Sequence, residues 1–179
     1  LSEEEEIAGI SASSGNSYVL TNNNDYYSWG TNGYGKFMFG YYEVNLSPVP
    51  LKGPKNFDII KIKEYLVPHV ELISSTYRHT VVKTESEQIY VWGFNLDGAL
   101  GTGDKENRIV PYEITNSLNL GVTETVTMIV TGDIHTVFLT SDNRVLGVGR
   151  NYYGNLGTGD TVERLNPYDI TDQIPLNPT

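Results

Sequence analysis

I-H-T-V-F-L-T-S-D-N-R-V-L-G-V-G-R-N-Y-Y-G-N-L-G-T-G-D, residues Ile134 to Asp160, has a counterpart upstream. From Arg78 to Asp104 the chain reads R-H-T-V-V-K-T-E-S-E-Q-I-Y-V-W-G-F-N-L-D-G-A-L-G-T-G-D, and the two stretches align without a gap. His79 falls on His135, Gly93 on Gly149, Asn95 on Asn151 and Asp104 on Asp160, always 56 residues apart. The match continues to Pro111 and Pro167, and back to Val70 and Val126. A fixed period with matched punctuation means one supersecondary unit used repeatedly, and this decides the architecture before any single residue does.

A third, eroded copy lies further upstream. Trp29-Gly30 set on Trp92-Gly93 gives an offset of 63, and Leu20, Thr21 and Gly35 then match Lys83, Thr84 and Gly98. In this copy Asn16 replaces the histidine and Tyr41 the aspartate. The seven additional residues are expected in an irregular loop around Pro48 to Phe57, where prolines and a glycine cluster. The units are expected at about 1–68, 69–124 and 125–179.

Within a unit the runs are short and β-branched. Val126–Val130, Thr136–Thr140 and Arg144–Val148 read as strands, with Ser141-Asp142-Asn143 as a hairpin tip and a weaker fourth strand at Tyr168–Thr171. Four short strands per unit with no helical periodicity describe one sheet of a β-propeller; a solenoid of β-turns would have a shorter period.

Composition narrows the partners. Asp and Glu number 22 against 12 Lys and Arg, a net charge of −10, so the surface is expected to repel phosphate backbones and acidic headgroups. Neither nucleic acid nor membrane is an expected partner. Cysteine is absent, which removes disulfides, thiolate metal sites and cysteine nucleophiles. No apolar run of transmembrane length occurs, and Glu3 to Glu6 is the opposite of a signal peptide, so the chain as given reads as soluble, its compartment unknown.

The order His-Thr, apolar strand, polar hairpin, V-W-G or V-G, N-x-x-G-x-L-G-T-G-D and a later proline resembles the regulator of chromosome condensation repeat. The resemblance covers all three units and is weakest in the first. It implies an all-β propeller, here about three blades of four antiparallel strands, belonging to a larger, usually seven-bladed ring. It does not fix a function, because that family spans nucleotide exchange on a small nuclear GTPase, light sensing, enzyme inhibition and scaffolding.

His79 and His135 occupy equivalent positions in successive units, too far apart to share a site, and read as buried links between a strand and its neighbouring blade. Gly101-Thr-Gly103-Asp104 and Gly157-Thr-Gly159-Asp160 lack the lysine and helix of a phosphate loop. They read as turns in which glycines take positive φ and the aspartate accepts backbone N–H groups. Trp92, Gly93 and Gly149 read as blade packing, and with only two tryptophans in the chain light sensing has no basis. No catalytic constellation and no metal-ligand spacing appear, and no cofactor is expected.

Tyrosine stands out, 13 of 179 residues. The variable pair of the N-x-x-G turn is Leu96-Asp97 in the second unit and Tyr152-Tyr153 in the third, with Tyr34 at the matching turn of the first and Tyr41 and Tyr42 beyond it. Large amphipathic residues at turn tips are candidate contact residues, or else rings folded over the adjacent blade. The expectation is a non-enzymatic module that recognises a protein through one propeller face, its acidity favouring basic partners. An exchange factor acting on a GTPase and a purely structural assembly part are the alternatives. Three blades cannot close a ring, so the remaining blades of the same propeller, or other copies of the chain, are further expected partners.

Overall fold

The computed structural model describes residues 6–12, 15–22, 26–31, 44–50 and 70–175. These form three four-stranded antiparallel sheets: β1 to β4 at Ile7–Ala12, Asn16–Thr21, Tyr26–Thr31 and Val44–Pro50; β5 to β8 at Val70–Ser75, His79–Thr84, Ile89–Gly93 and Arg108–Glu113; β9 to β12 at Val126–Gly132, His135–Thr140, Val145–Gly149 and Arg164–Asp169. Each sheet is a meander in chain order. The first strands β1, β5 and β9 lie side by side, so the sheets are arranged around them as propeller blades.

Each sheet turns a leading face to the sheet before it and a trailing face to the sheet after it. In β6, between two neighbours, all six residues are buried; in β10 burial alternates. Thr136, Phe138 and Thr140 are buried, whereas His135, Val137 and Leu139, on the trailing side, are partly exposed. The two-residue side-chain period of a strand thus reports directly which faces have a neighbour. Between the second and third sheets, Val81, Ile89 and Val91 pack against Val126, Ile129, Phe138, Leu146 and Val148, closed at one end by Leu100 and at the other by Ile114 and Leu118.

Two expectations shift. The fourth strand of the third blade runs over Arg164–Asp169 rather than Tyr168–Thr171, because the Asp169 carboxylate accepts the Thr171 N–H at 2.9 Å and turns the chain into a single 3-10 turn at Thr171–Gln173. Pro48 to Pro50, expected in a loop, belong to β4, and residues 51–69 lie outside the described residues. Pro111 and Pro167 likewise sit in β8 and β12. All are outermost strands, where the missing N–H can face away from the ladder.

Candidate functional site

The β5–β6 turn, the long β7–β8 connection and their counterparts in the third sheet emerge at one end of the blades. Its framework is the repeated N-x-x-G turn, built around a fully buried asparagine. Asn95 Nδ2 donates to Thr102 Oγ1 (2.9 Å) and to the backbone oxygen of Asp104 (3.0 Å), while Asn95 Oδ1 accepts the Leu100 N–H at 2.9 Å. Asn151 makes the same bonds to Thr158, Asp160 and Leu156 at 2.9, 2.9 and 2.8 Å. Both residues lie in the matched register, but nothing in their spacing marks each as the turn's internal clamp.

The glycines do more than bend this turn. Gly101 and Gly103 hold φ of +71° and +79°, Gly157 and Gly159 of +69° and +76°. The second blade's turn also lies against the third sheet: Gly103 N–H donates to Leu165 O at 2.9 Å, and a Cβ on Gly98 would stand 2.5 Å from the Leu165 side chain. The turn therefore wedges successive blades together. A Cβ on Gly93 or Gly149 would stand equally close, 2.5 Å, to backbone oxygens, those of Arg78 and Ile134, and Trp92 is fully buried.

The aspartates accept what the turn offers. Asp104 Oδ1 takes the Glu106 N–H and Asp160 Oδ1 the Val162 N–H, while Arg108 and Arg164 bind the other oxygens at 2.6 and 2.8 Å. Burial works to raise the Asp104 pKa, but the Glu106 amide, Arg108 and Thr102 overcome it and hold it below the usual range. The Arg164 guanidinium, the Thr158 hydroxyl and the Val162 amide lower Asp160 from 3.8 to about 2. A folded pKa below the unfolded one stabilises the fold above the unfolded value and is lost as pH falls through the folded value. The urea midpoint is therefore expected to decline as pH is lowered from about 4 to about 2, and less steeply in Asp160→Asn. Equal slopes in the two proteins would contradict this.

The two repeat histidines differ in their surroundings. His79 is fully buried, and its Nε2 lies 2.8 Å from Thr136 Oγ1 in the third sheet, which donates onward to Ala99 O at 2.8 Å. His135, expected to be a buried link as well, is only partly buried, and its Nδ1 has no hydrogen-bond partner. Where His79 has Thr76 within its turn, His135 has Gly132, which brings no hydroxyl. Between the first and second sheets Thr80 Oγ1 meets the hydroxyl of the buried Tyr18 at 3.3 Å instead. Tyr18, which the sequence did not single out, thus reaches the threonine that a histidine reaches one blade later.

On this framework Leu96, Tyr152 and Tyr153 stand 57%, 59% and 90% exposed. Asp97, beside Leu96, is buried and bridges the blades, with Oδ2 2.8 Å from Arg78 Nη1 and Oδ1 3.1 Å from Arg150 Nη1. Arg78 lies over the Phe94 ring at 5.0 Å and Arg150 over Tyr152 at 3.9 Å. Tyr152 and the turn that carries Leu96 and Asp97 are thus joined through a pair of arginines that the sequence reading missed. Ile134 and Phe94 occupy the matching repeat positions, so no recurrence marked them. Tyr34, Tyr41 and Tyr42 lie outside the described residues.

Charge is unevenly placed. Bases and acids interleave at the tyrosine-bearing end, where Lys105 binds Glu163 at 2.6 Å across the blades. At the opposite end Glu85, Glu113, Asp142 and Asp172 are exposed, and among the described residues the bases there, Lys83 and Arg144, are already paired with carboxylates. Among the described residues the excess acid therefore lies at the end opposite Tyr152 and Tyr153. Among the described residues no group of three or more His, Cys, Asp or Glu is gathered for a metal, and no helix is long and apolar enough to cross a membrane.

Family models described as the regulator of chromosome condensation (RCC1) repeat match residues 86–139 and 126–155. The chain is 32% identical over 145 residues to the ultraviolet-B receptor UVR8 of Arabidopsis thaliana, covering 81% of this chain and 30% of the receptor. It is 26% identical over 168 residues to the human X-linked retinitis pigmentosa GTPase regulator, covering 94% of this chain and 15% of that protein. The chain thus spans less than a third of the length of these relatives. Among solved structures, Prp20p from Saccharomyces cerevisiae superposes with a TM-score of 0.69 at 16% identity, over 92% of this chain and 38% of that one. Human WBSCR16 superposes with a TM-score of 0.55 at 20% identity, over 94% of this chain and 54% of that one.

Proposed function

The chain belongs to the regulator of chromosome condensation repeat family, and from that premise we propose that it is a protein-recognition module working through the propeller end that carries Leu96, Tyr152 and Tyr153. The observation that carries this reading is the exposed Tyr152-Tyr153 tip on a rigid, asparagine-clamped turn, beside two guanidiniums already ordered by Asp97. Tyrosine and arginine dominate binding energetics at protein interfaces, and side chains fixed beforehand lose little entropy on binding. Tyr153, 90% exposed, is available for contact, whereas Tyr152 is half covered by the Arg150 guanidinium stacked on its ring.

The test is a double variant, Tyr152→Ser with Tyr153→Ser, titrated against the partner that the wild-type chain retains. Two contact tyrosines account for about 2 kcal/mol or more, so affinity is expected to fall at least about thirtyfold while the unfolding midpoint stays in place. Unchanged affinity would move recognition off this face.

A second reading makes the partner a GTPase, because one relative is named as a GTPase regulator. It predicts accelerated release of guanine nucleotide from that partner, whereas binding without accelerated release decides for plain recognition. Light reception is not carried over from the plant receptor: Trp92 is sealed inside the blades, and its counterpart in the third unit is Val148.

A further inference from the structure

At the seam between the second and third sheets two guanidiniums share one carboxylate. Asp97, its side chain 11% exposed, accepts from Arg78 Nη1 through Oδ2 at 2.8 Å and from Arg150 Nη1 through Oδ1 at 3.1 Å. One arginine already matches one carboxylate in charge, so the second leaves the seam with a positive charge. The other bases at this end close on acids of their own: Lys105 on Glu163, Arg108 on Asp104 and Glu106, Arg164 on Asp160. Asp133, on the neighbouring β9–β10 turn, acts on His135.

The blades do not require this arrangement. The repeat positions of Arg78 and Arg150 are filled elsewhere by Ile134 and Phe94, and that of Asp97 by Tyr153. Both guanidiniums also remain open to solvent. The Arg78 and Arg150 side chains are 31% and 36% exposed, and among the described residues each donates to Asp97 alone. A guanidinium carries five N–H groups, so most of each fork faces no protein acceptor. Phe94 lies against the face of one and Tyr152 against the face of the other. A guanidinium held by a carboxylate at one edge and a ring at one face loses little freedom on accepting a second anion.

We propose that this arginine pair takes a side-chain carboxylate, Asp or Glu, from a segment of the partner protein, with an apolar neighbour of that acid resting on Leu96 and Tyr152. The proposal rests on the reading of this end as a protein-recognition face and adds the chemistry of the partner. Charge selects carboxylate over phosphate: two guanidiniums and Asp97 sum to one positive charge, which a carboxylate cancels, whereas a phosphoryl group of about −1.5 to −2 turns the seam negative. The net charge of −10 does not oppose the contact locally, since among the described residues the excess acid lies at the opposite end.

A phage library of random dodecapeptides is the probe. Selected on the whole chain, it is expected to yield sequences with Asp or Glu beside a large apolar residue. The best of them, synthesised with blocked ends, is compared by fluorescence anisotropy with two derivatives in which the acid becomes its amide or phosphoserine. The amide is expected to bind at least about tenfold more weakly, because charge-assisted hydrogen bonds are lost, and phosphoserine no more tightly than the acid. Arg78→Gln with Asp97→Asn and Arg150→Gln removes all three charges together and leaves no buried carboxylate without a partner. In that variant, its fold verified by circular dichroism, acid and amide are expected to bind within about twofold of each other.

A second measurement needs no variant. The Nε–Hε resonances of Arg78 and Arg150 in the wild-type chain are expected to move with the acid peptide and to stay in place with the amide. Selected peptides without an acid, equal affinity for acid and amide, tighter binding of phosphoserine, or unmoved arginine resonances would each overturn the proposal. If the selected peptides then still lose affinity in the Tyr152→Ser, Tyr153→Ser variant, the recognition face stands and its carboxylate chemistry alone is wrong. If they are indifferent to those tyrosines as well, the face itself falls.

Discussion

Gly149→Ala is expected to lower the stability of the chain by about 3 kcal/mol or more, a large effect for a single methyl group. Gly149 holds φ at +113°, and a Cβ there would lie 2.5 Å from Ile134 O, 2.8 Å from His135 Cα and 3.2 Å from Ala99 Cα. All three are backbone atoms of packed segments, so none can swing aside as a side chain would. Gly93 repeats the geometry, with φ +112° and contacts of 2.5 Å to Arg78 O and 2.7 Å to His79 Cα. Gly159→Ala is the control. Its φ is +76°, but the nearest atom is Gln173 Oε1 at 3.8 Å, so only conformational strain of about 1 kcal/mol is added. Urea unfolding measures both, and equal losses would show that the close approach does not decide the identity of residue 149.

Asn151→Ala is expected to cost about 3 kcal/mol, well above the usual value for a lost hydrogen bond. Asn151 is fully buried, and its truncation strands the Leu156 N–H and the Asp160 carbonyl together in the turn. Asn151→Asp separates the halves of the argument. It keeps an acceptor for Leu156 but removes the donors and sets a negative charge against Asp160, whose Oδ1 lies 3.3 Å from Asn151 Nδ2. It is expected to be at least as destabilising as the alanine. Hydrogen exchange at Leu156, accelerated in both variants, ties the loss to this turn; unaltered protection would place it elsewhere.

The architecture was legible because it is periodic. One offset of 56 aligned strands, hairpin tips and turns at once, and Asn143 and Glu87, at matched tips, share positive φ. Apart from the His79 link, contacts between blades were not legible, because they join positions that differ from unit to unit. Asp97 reaches Arg78 and Arg150, while its counterpart Tyr153 points to solvent; Tyr18 stands in for a histidine two positions away in the register. The fourth strand was misplaced because the Tyr168–Thr171 run is β-prone, yet the Asp169 side chain ends the ladder at that residue. The tyrosine surplus pointed to Tyr152 and Tyr153, but their arginine neighbours belong to positions the repeat leaves free.

The bond from His79 to Thr136 spans 57 residues. During synthesis at roughly 5–20 residues per second, His79 leaves the ribosome about 3 to 11 s before the hydroxyl that will hold it. For that interval the second blade has strands but no clasp, and Val81, Ile89 and Val91 face water until Phe138 and Val148 arrive. Each blade therefore completes its predecessor, and the trailing blade of a nascent chain is at every moment the one most open to misdirected pairing or to capture by a chaperone.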